Sequence, residues 1–171
     1  MKQREISNEI YKLLFDVRRS VRYHDRRRAF FETMHRITAV LTILMAGSVL
    51  FDLGKPGITQ GWLIALSVLA ALLAALDMVL GYASKADLHR SLKKQFGELE
   101  IAIVTDDETE DTLKFNQNKR LEIEQNEPPI YRALDRICHN EIVTATGIDK
   151  KELCKVGWFE QLTRHFFYWS V

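Results

Sequence analysis

The stretch WLIALSVLAALLAALDMVLGY, residues 62–82, is apolar over the full length that a helix needs to cross a bilayer. A hydrocarbon core of about 30 Å takes roughly 20 apolar residues of helix to cross. A second stretch, ITAVLTILMAGSVLFDL at residues 37–53, ends eight residues upstream of it. This stretch is shorter, but it reaches across when basic side chains before Ile37 extend toward the headgroups. The two stretches together predict a transmembrane hairpin.

Charge is distributed unevenly along the 171 residues, although the net charge is only +1. Between residues 37 and 82 the charged residues are Asp52, Lys55 and Asp77, and the rest of the chain is strongly polar. The polar part has little apolar material for a core of its own, which predicts a homo-oligomer. The first apolar stretch follows a long charged segment without a small-residue cleavage site, so we expect it to remain in the mature protein.

The charges that flank the hairpin predict its orientation. Residues 1–36 carry ten Lys or Arg against five Asp or Glu, and Lys85, Arg90, Lys93 and Lys94 follow the second stretch. The connecting loop GKPGITQG has one lysine. Because positively charged flanks stay on the cytoplasmic side, both termini are expected in the cytoplasm.

Helical periodicity continues on both sides of the hairpin and predicts an all-α fold. Apolar residues recur at steps of three or four before it and after it, at Ile6, Ile10, Leu13, Val17 and Val21 and at Leu88, Leu92, Phe96, Leu99 and Ile103. We expect these two helices to pack face to face. The predicted regions are a basic helix at residues 1–36, the hairpin at 37–82, and a helical extension and C-terminal domain at 83–171.

Two further helices are predicted in the C-terminal region. One runs over residues 110–126, with Thr105 or Asp106 as its N-cap, and stops before Pro128 and Pro129. The other covers residues 130–145 and ends at Gly147.

Asp77 is the residue in the hairpin that points most directly to a function. A carboxylate inside a span costs free energy unless it faces a polar environment, so Asp77 is a candidate pore-lining charge. Alternatively, it reaches water near the headgroups or pairs with His35 or Arg36. Thr38 and Thr42 share one face of the first span and are further pore-lining candidates, although small and polar faces serve helix packing equally well.

Two basic clusters are candidate sites outside the spans. Arg26, Arg27, Arg28 and Arg36 precede the first span, where they either bind anionic headgroups and set topology or form a positive vestibule to a pore. Arg132, Arg136, His139, Lys150 and Lys151 could bind a phosphate-bearing ligand or form an ordinary solvated face. Residues 83–171 carry 13 basic and 16 acidic residues, which argues against a general nucleic-acid platform.

The last segment, WFEQLTRHFFYWSV, has too many aromatic residues for an exposed tail. We expect it to pack on the long helices or on a neighbouring subunit, or else to contact the membrane interface. Cys138 and Cys154 lack metal-site spacing and are expected to be reduced thiols. The sequence contains no Gly-rich phosphate loop, HExxH or GxSxG motif, and it predicts neither an enzyme nor a cofactor or metal.

Three segments resemble the SLATT group of bacterial two-transmembrane effectors: YHDRRRAFFETMHRITAVL at residues 23–41, YASKADLHRSLKKQFGELE at 82–100, and RLEIEQNEPPIYRALDRICHNEI at 120–142. The resemblance lies in layout more than in invariant residues. It implies a homo-oligomeric pore or a membrane-disrupting effector that acts in antiphage defence. It also implies control by a nucleotide or a DNA or RNA oligomer, made by a partner nucleotidyltransferase.

Our hypothesis is therefore an all-α, multi-pass inner-membrane protein, a homo-oligomer (a tetramer), whose pore depolarises the membrane when a cytosolic signal arrives. The main alternative is a non-conducting anchor or scaffold, or a sensor subunit, in which the hairpin tethers a helical interaction domain.

Overall fold

The computed structural model describes residues 2–52 and 60–168, and the regular structure in them is helical. The elements are α1 (Lys2–Asp52), α2 (Gln60–Leu80), α3 (Tyr82–Thr105), α4 (Glu110–Glu124), α5 (Arg132–Thr146), a single 3₁₀ turn (Lys150–Glu152) and α6 (Trp158–Thr163). Residues 54–59 of the connecting loop GKPGITQG lie outside the described residues. The all-α prediction is confirmed for the described part of the chain.

Two helical stretches are long and apolar enough to cross a membrane, one within α1 and one that begins with α2. In the apolar window of the first stretch no residue is buried, and in the apolar window of the second stretch 6% of the residues are buried. Protein atoms therefore leave most of this apolar surface uncovered.

The chain divides into two units: a hairpin unit, Arg28–Leu88, and a helical unit made of Met1–Arg27 and His89–Val171. In the helical unit α1 and α3 are antiparallel, since Arg18 pairs with Glu100 and Asp25 pairs with Lys93. The predicted apolar faces meet there in a core of Leu13, Val17, Leu92, Phe96, Leu99, Ile103, Leu113 and Ile123. A fully buried side chain of this size contributes about 1.5–3 kcal/mol to stability.

Gly81 separates α2 from α3, where the periodicity predicts one continuous helix. Its φ of +59° is a left-handed conformation that glycine adopts without the steric cost of a Cβ. Helical hydrogen bonds still reach it from both sides, from Gly81 N–H to the Asp77 carbonyl and from Lys85 N–H to the Gly81 carbonyl.

Thr109, not Thr105 or Asp106, is the N-cap of α4. Its backbone is extended, and its hydroxyl accepts from Thr112 N–H in a capping box. Thr105 is still helical, and its hydroxyl bonds back to the Ile101 carbonyl. The N-cap prediction was wrong because α3 continues to Thr105.

The bounds of α4 and α5 differ slightly from the predicted ones. α4 ends at Glu124, two residues before the predicted end. α5 begins at Arg132, not at residue 130, because Tyr131 is extended and its N–H donates to the Tyr23 hydroxyl at 2.9 Å. Gly147, at φ +69°, caps α5 as predicted, and its N–H donates to the Val143 carbonyl.

Candidate functional site

Asp77 contacts two side chains of α1 within the hairpin unit. His35 Nδ1 lies 2.9 Å from Asp77 Oδ2, and the Thr38 hydroxyl donates to Asp77 Oδ1 at 3.2 Å. The pairing of Asp77 with His35 was one of the alternatives raised from the sequence. Both carboxylate oxygens therefore have partners inside one hairpin.

Heptad spacing explains why these residues meet. On α1 the less exposed positions from 31 onward are 31, 32, 34, 35, 38, 39, 42, 45 and 49, and 31, 35, 38, 42, 45 and 49 among them recur at steps of three and four; on α2 the less exposed positions are 63, 66, 70, 73 and 77. Steps of three and four keep such positions on the facing sides of two helices. Thr42 lies on the same face as Thr38, one turn farther along α1. The predicted pore-lining residues thus lie along the seam between the two helices of one hairpin.

The four arginines before the first span have different surroundings. Arg26 pairs with Glu141 of α5, and Arg27 is only 4% exposed, with its guanidinium 4.1 Å from the centre of the Tyr131 ring. Arg28 and Arg36 both pair with Glu32 inside the hairpin unit. Arg26 and Arg27 thus hold the helical unit together, which the run of arginines in the sequence did not indicate.

The predicted ligand-binding residues have different surroundings. Arg136 pairs with Glu160 at 3.5 Å, and His139 Nε2 lies 3.0 Å from the Glu152 carbonyl oxygen. Arg132 and Lys150 are exposed. Lys151 is also exposed and lies 3.8 Å from Asp149. The structure brings His139 against Phe15 of α1, with ring centres 5.1 Å apart.

A cavity of about 540 Å³ lies on α5 near these residues, and its lining includes Ile137, Asn140, Glu141, Cys154, Val156 and Gln161. Asn140 shapes it by exchanging two hydrogen bonds with the Cys154 backbone, each 2.8 Å long. The charged residue in its lining is a glutamate, so this cavity suits an apolar or neutral ligand better than a phosphate.

A buried chain of three polar side chains was missed by the sequence reasoning. His24 Nδ1 lies 2.8 Å from His89 Nδ1, and His24 Nε2 lies 2.7 Å from Glu127 Oε1. His24 also stacks on Phe96, with ring centres 5.5 Å apart. The only sequence signal was that both histidines fall on the apolar faces of their helices. We call this group the His24–His89–Glu127 chain.

The short contacts limit where protons can lie in this chain. A carboxylate oxygen can only accept a hydrogen bond, and a hydrogen bond between the two Nδ1 atoms needs one proton between them. A proton on both Nδ1 atoms would place two donors face to face. Burial, together with His24 and Arg27, lowers the pKa of His89 to about 3.

The pKa values of two other groups, His165 near Arg27 and Cys138 on α5, are also shifted. Burial, with Arg27 and Arg164, lowers the pKa of His165 to about 4. Burial also raises the pKa of the Cys138 thiol to about 12, and this keeps it protonated and unreactive. Both cysteines are free thiols, and within residues 2–52 and 60–168 no three His, Cys, Asp or Glu side chains are placed to hold a metal ion.

Comparison with known proteins adds no constraint on these sites. No protein-family model, curated protein or solved structure matches the chain.

Proposed function

We propose that this chain is a two-span membrane protein that assembles as a homo-oligomer, a tetramer, and forms an ion-conducting pore in the bacterial inner membrane. The observation that carries the proposal is the exposed apolar surface of α1 and α2 in two windows long enough to cross a bilayer. A soluble monomer rarely exposes contiguous apolar patches larger than a few hundred Å². Lipid and neighbouring hairpins are the partners that would cover such a surface.

The opening signal in this proposal is a cytosolic nucleotide or a DNA or RNA oligomer, made by a partner nucleotidyltransferase, as the SLATT resemblance implies. The helical unit would receive the signal, because its exposed basic residues Arg132 and Lys150 are available to an anion. Depolarisation of the membrane would be the output in antiphage defence.

A non-conducting anchor is the second candidate, and the hairpin seam favours it. The Asp77 carboxylate is bonded to His35 and Thr38 of the same hairpin. A polar seam of this kind stabilises the pairing of two helices without any pore.

Membrane potential, followed with a voltage-sensitive dye in cells that express the protein alone or with its genomic neighbours, separates the two functions. The pore hypothesis predicts depolarisation in at least one of these states. An unchanged potential in every state, with the protein present in the membrane fraction, would support the anchor.

Asp77→Ala tests the conduction path, and Ser67→Ala is its matched control. Ser67 lies on the same helix, but its hydroxyl donates to the Leu63 carbonyl. If Asp77 lines the pore, Asp77→Ala changes the currents and Ser67→Ala does not. Equal currents in the two variants, at equal membrane levels, would remove Asp77 from the path.

A further inference from the structure

Helix α6 has one face toward the protein and one face exposed. Glu160 on the inner face accepts a hydrogen bond from Gly157 N–H at 2.9 Å and pairs with Arg136, and Gln161 lines the cavity on α5. Trp158 and Leu162, one turn apart on the other face, are 78% and 69% exposed. The inner contacts therefore fix an orientation in which large apolar side chains face outward.

The exposed surface continues beyond α6. Phe166, Phe167 and Tyr168 are each more than half exposed. Together with α6 they form what we call the aromatic segment, residues 158–168. The expected packing on the long helices is made at the His165 carbonyl, which accepts a hydrogen bond from Arg27 of α1, but it leaves these side chains more than half exposed. A neighbouring subunit or the membrane interface remains as the surface that could cover them.

The aromatic segment is hydrogen-bonded to α1 at a residue that lies ten positions before the first apolar stretch. Arg27 Nη1 donates to the His165 carbonyl at 2.9 Å, and Tyr168 stacks on Tyr131 with ring centres 4.1 Å apart. Arg27 precedes Ile37 by ten residues of α1, which as helix cover about 15 Å. The headgroup layer extends about 5–7 Å beyond the hydrocarbon core. Since 15 Å exceeds the depth of that layer, the residues of the segment would have to cover the remaining distance of about 8–10 Å.

We propose that the aromatic segment docks on the headgroup layer of the leaflet next to the membrane entry of α1. Tryptophan and tyrosine favour that layer because their rings are apolar at one end and polar at the other. Lys150, Lys151 and Lys155, all exposed, lie in the chain just before it; with Asp149 and Glu152 among them, residues 149–155 carry a net charge of +1, which suits anionic headgroups. Self-pairing of this surface across a two-fold axis would bring these lysines toward one another, which disfavours a second copy as the occupant. The proposal rests on membrane insertion of the hairpin, but not on conduction.

Tryptophan fluorescence of the full chain in lipid vesicles tests the proposal. The chain has tryptophans at positions 62, 158 and 169. Replacing two of them by phenylalanine leaves Trp158 alone as the probe of docking, or Trp62 alone as the probe of hairpin insertion. Each single-tryptophan protein is reconstituted in phosphatidylcholine–phosphatidylglycerol vesicles with and without brominated lipid, a short-range quencher.

The proposal predicts that brominated lipid quenches both probes. Quenching of Trp62 without quenching of Trp158 would overturn the docking and leave the membrane hairpin intact. If Trp62 is not quenched, the hairpin is not inserted, and the docking proposal fails with it.

Leu162→Asp, made in the Trp158-only protein, tests whether the outer face of α6 makes the contact. Phe115→Asp is the matched control, because Phe115 is a 66% exposed apolar residue on α4 of the same unit. We expect Leu162→Asp to reduce the quenching of Trp158 and Phe115→Asp to leave it unchanged. Equal quenching in both variants would overturn the assignment of this face.

Discussion

Acidification should destabilise the protein through His89. The pKa of this side chain is about 3 in the folded state, against about 6.5 in an unfolded chain. The unfolded state therefore binds the proton more tightly, so the stabilisation is complete above about pH 6.5 and is lost as the pH falls toward 3. At about pH 5 the loss from this one group is about 2 kcal/mol.

The structure gives the reason for this loss. His89 is 3% exposed, and its Nδ1 faces His24 Nδ1 at 2.8 Å. Arg27 is the nearby cation that further opposes a positive charge on His89, while Glu127 is bonded to the far side of His24. A second proton on the pair removes the acceptor and leaves two donors in contact.

His89→Asn is the informative variant, because asparagine places a polar atom near the former Nδ1 and does not titrate. His165, whose pKa is about 4, contributes a similar loss, so the wild type should lose about 4 kcal/mol between about pH 7.5 and pH 5 and the variant about 2 kcal/mol. For a chain of this size, 2 kcal/mol corresponds to about 4–8 °C in Tm.

Thermal unfolding in detergent, followed by circular dichroism at the two pH values, measures this difference. Ile142→Val is the control, because it removes a methylene group from the core. It should lower the free energy of unfolding by about 0.5–1.5 kcal/mol, and therefore lower Tm, at both pH values. The same drop in Tm for His89→Asn and the wild type would refute the reasoning.

Three further predictions concern packing, thiol chemistry and a glycine. Phe96→Ala, at a side chain with no exposed area, should cost about 3–5 kcal/mol in urea unfolding; a cost below about 1 kcal/mol would contradict the core assignment. Cys154 should react with a maleimide in the folded protein while the buried Cys138 reacts only on unfolding, as mass spectrometry would show. Gly147→Ala, at φ +69°, should lower the free energy of unfolding by about 1 kcal/mol and so lower Tm. Gly97→Ala, on a helix with open space around it, should raise Tm slightly. Tm changes of the same sign in both would count against the left-handed cap.

Most of the fold could be predicted from periodicity alone. Apolar residues recur at helical steps on both helices, as at Leu13 and Val17 on α1 and at Leu92 and Phe96 on α3. The structure packs these residues in one core. Gly147 could be predicted as a cap because few other residues adopt a positive φ. The break at Gly81 was missed although glycine is the same local signal there, because the helical periodicity continues on both sides of it.

The polar contacts could not be predicted from the sequence because they join residues far apart in the chain. Nothing in the sequence around His24 or His89 indicates that the two residues, 65 positions apart, are partners. A run of arginines likewise does not show that Arg27 is buried over Tyr131. In such cases the role of a side chain depends on which helix faces it, and only the tertiary structure shows this.

The polar pairs explain why these helices pack in one register. In the hairpin unit the Asp77 carboxylate is opposite His35 and Thr38, on faces that are otherwise mainly apolar. A slip of one heptad would place Thr42 and Met45 opposite Asp77, leaving at most a hydroxyl to satisfy a carboxylate. Since an unpaired charge away from water costs several kcal/mol, the correct register is favoured over its nearest competitors even where leucine and alanine would pack equally well. A polar residue at a heptad position sets register in coiled coils in the same way, so the contacts of Asp77 have a structural purpose whether or not the assembled protein conducts.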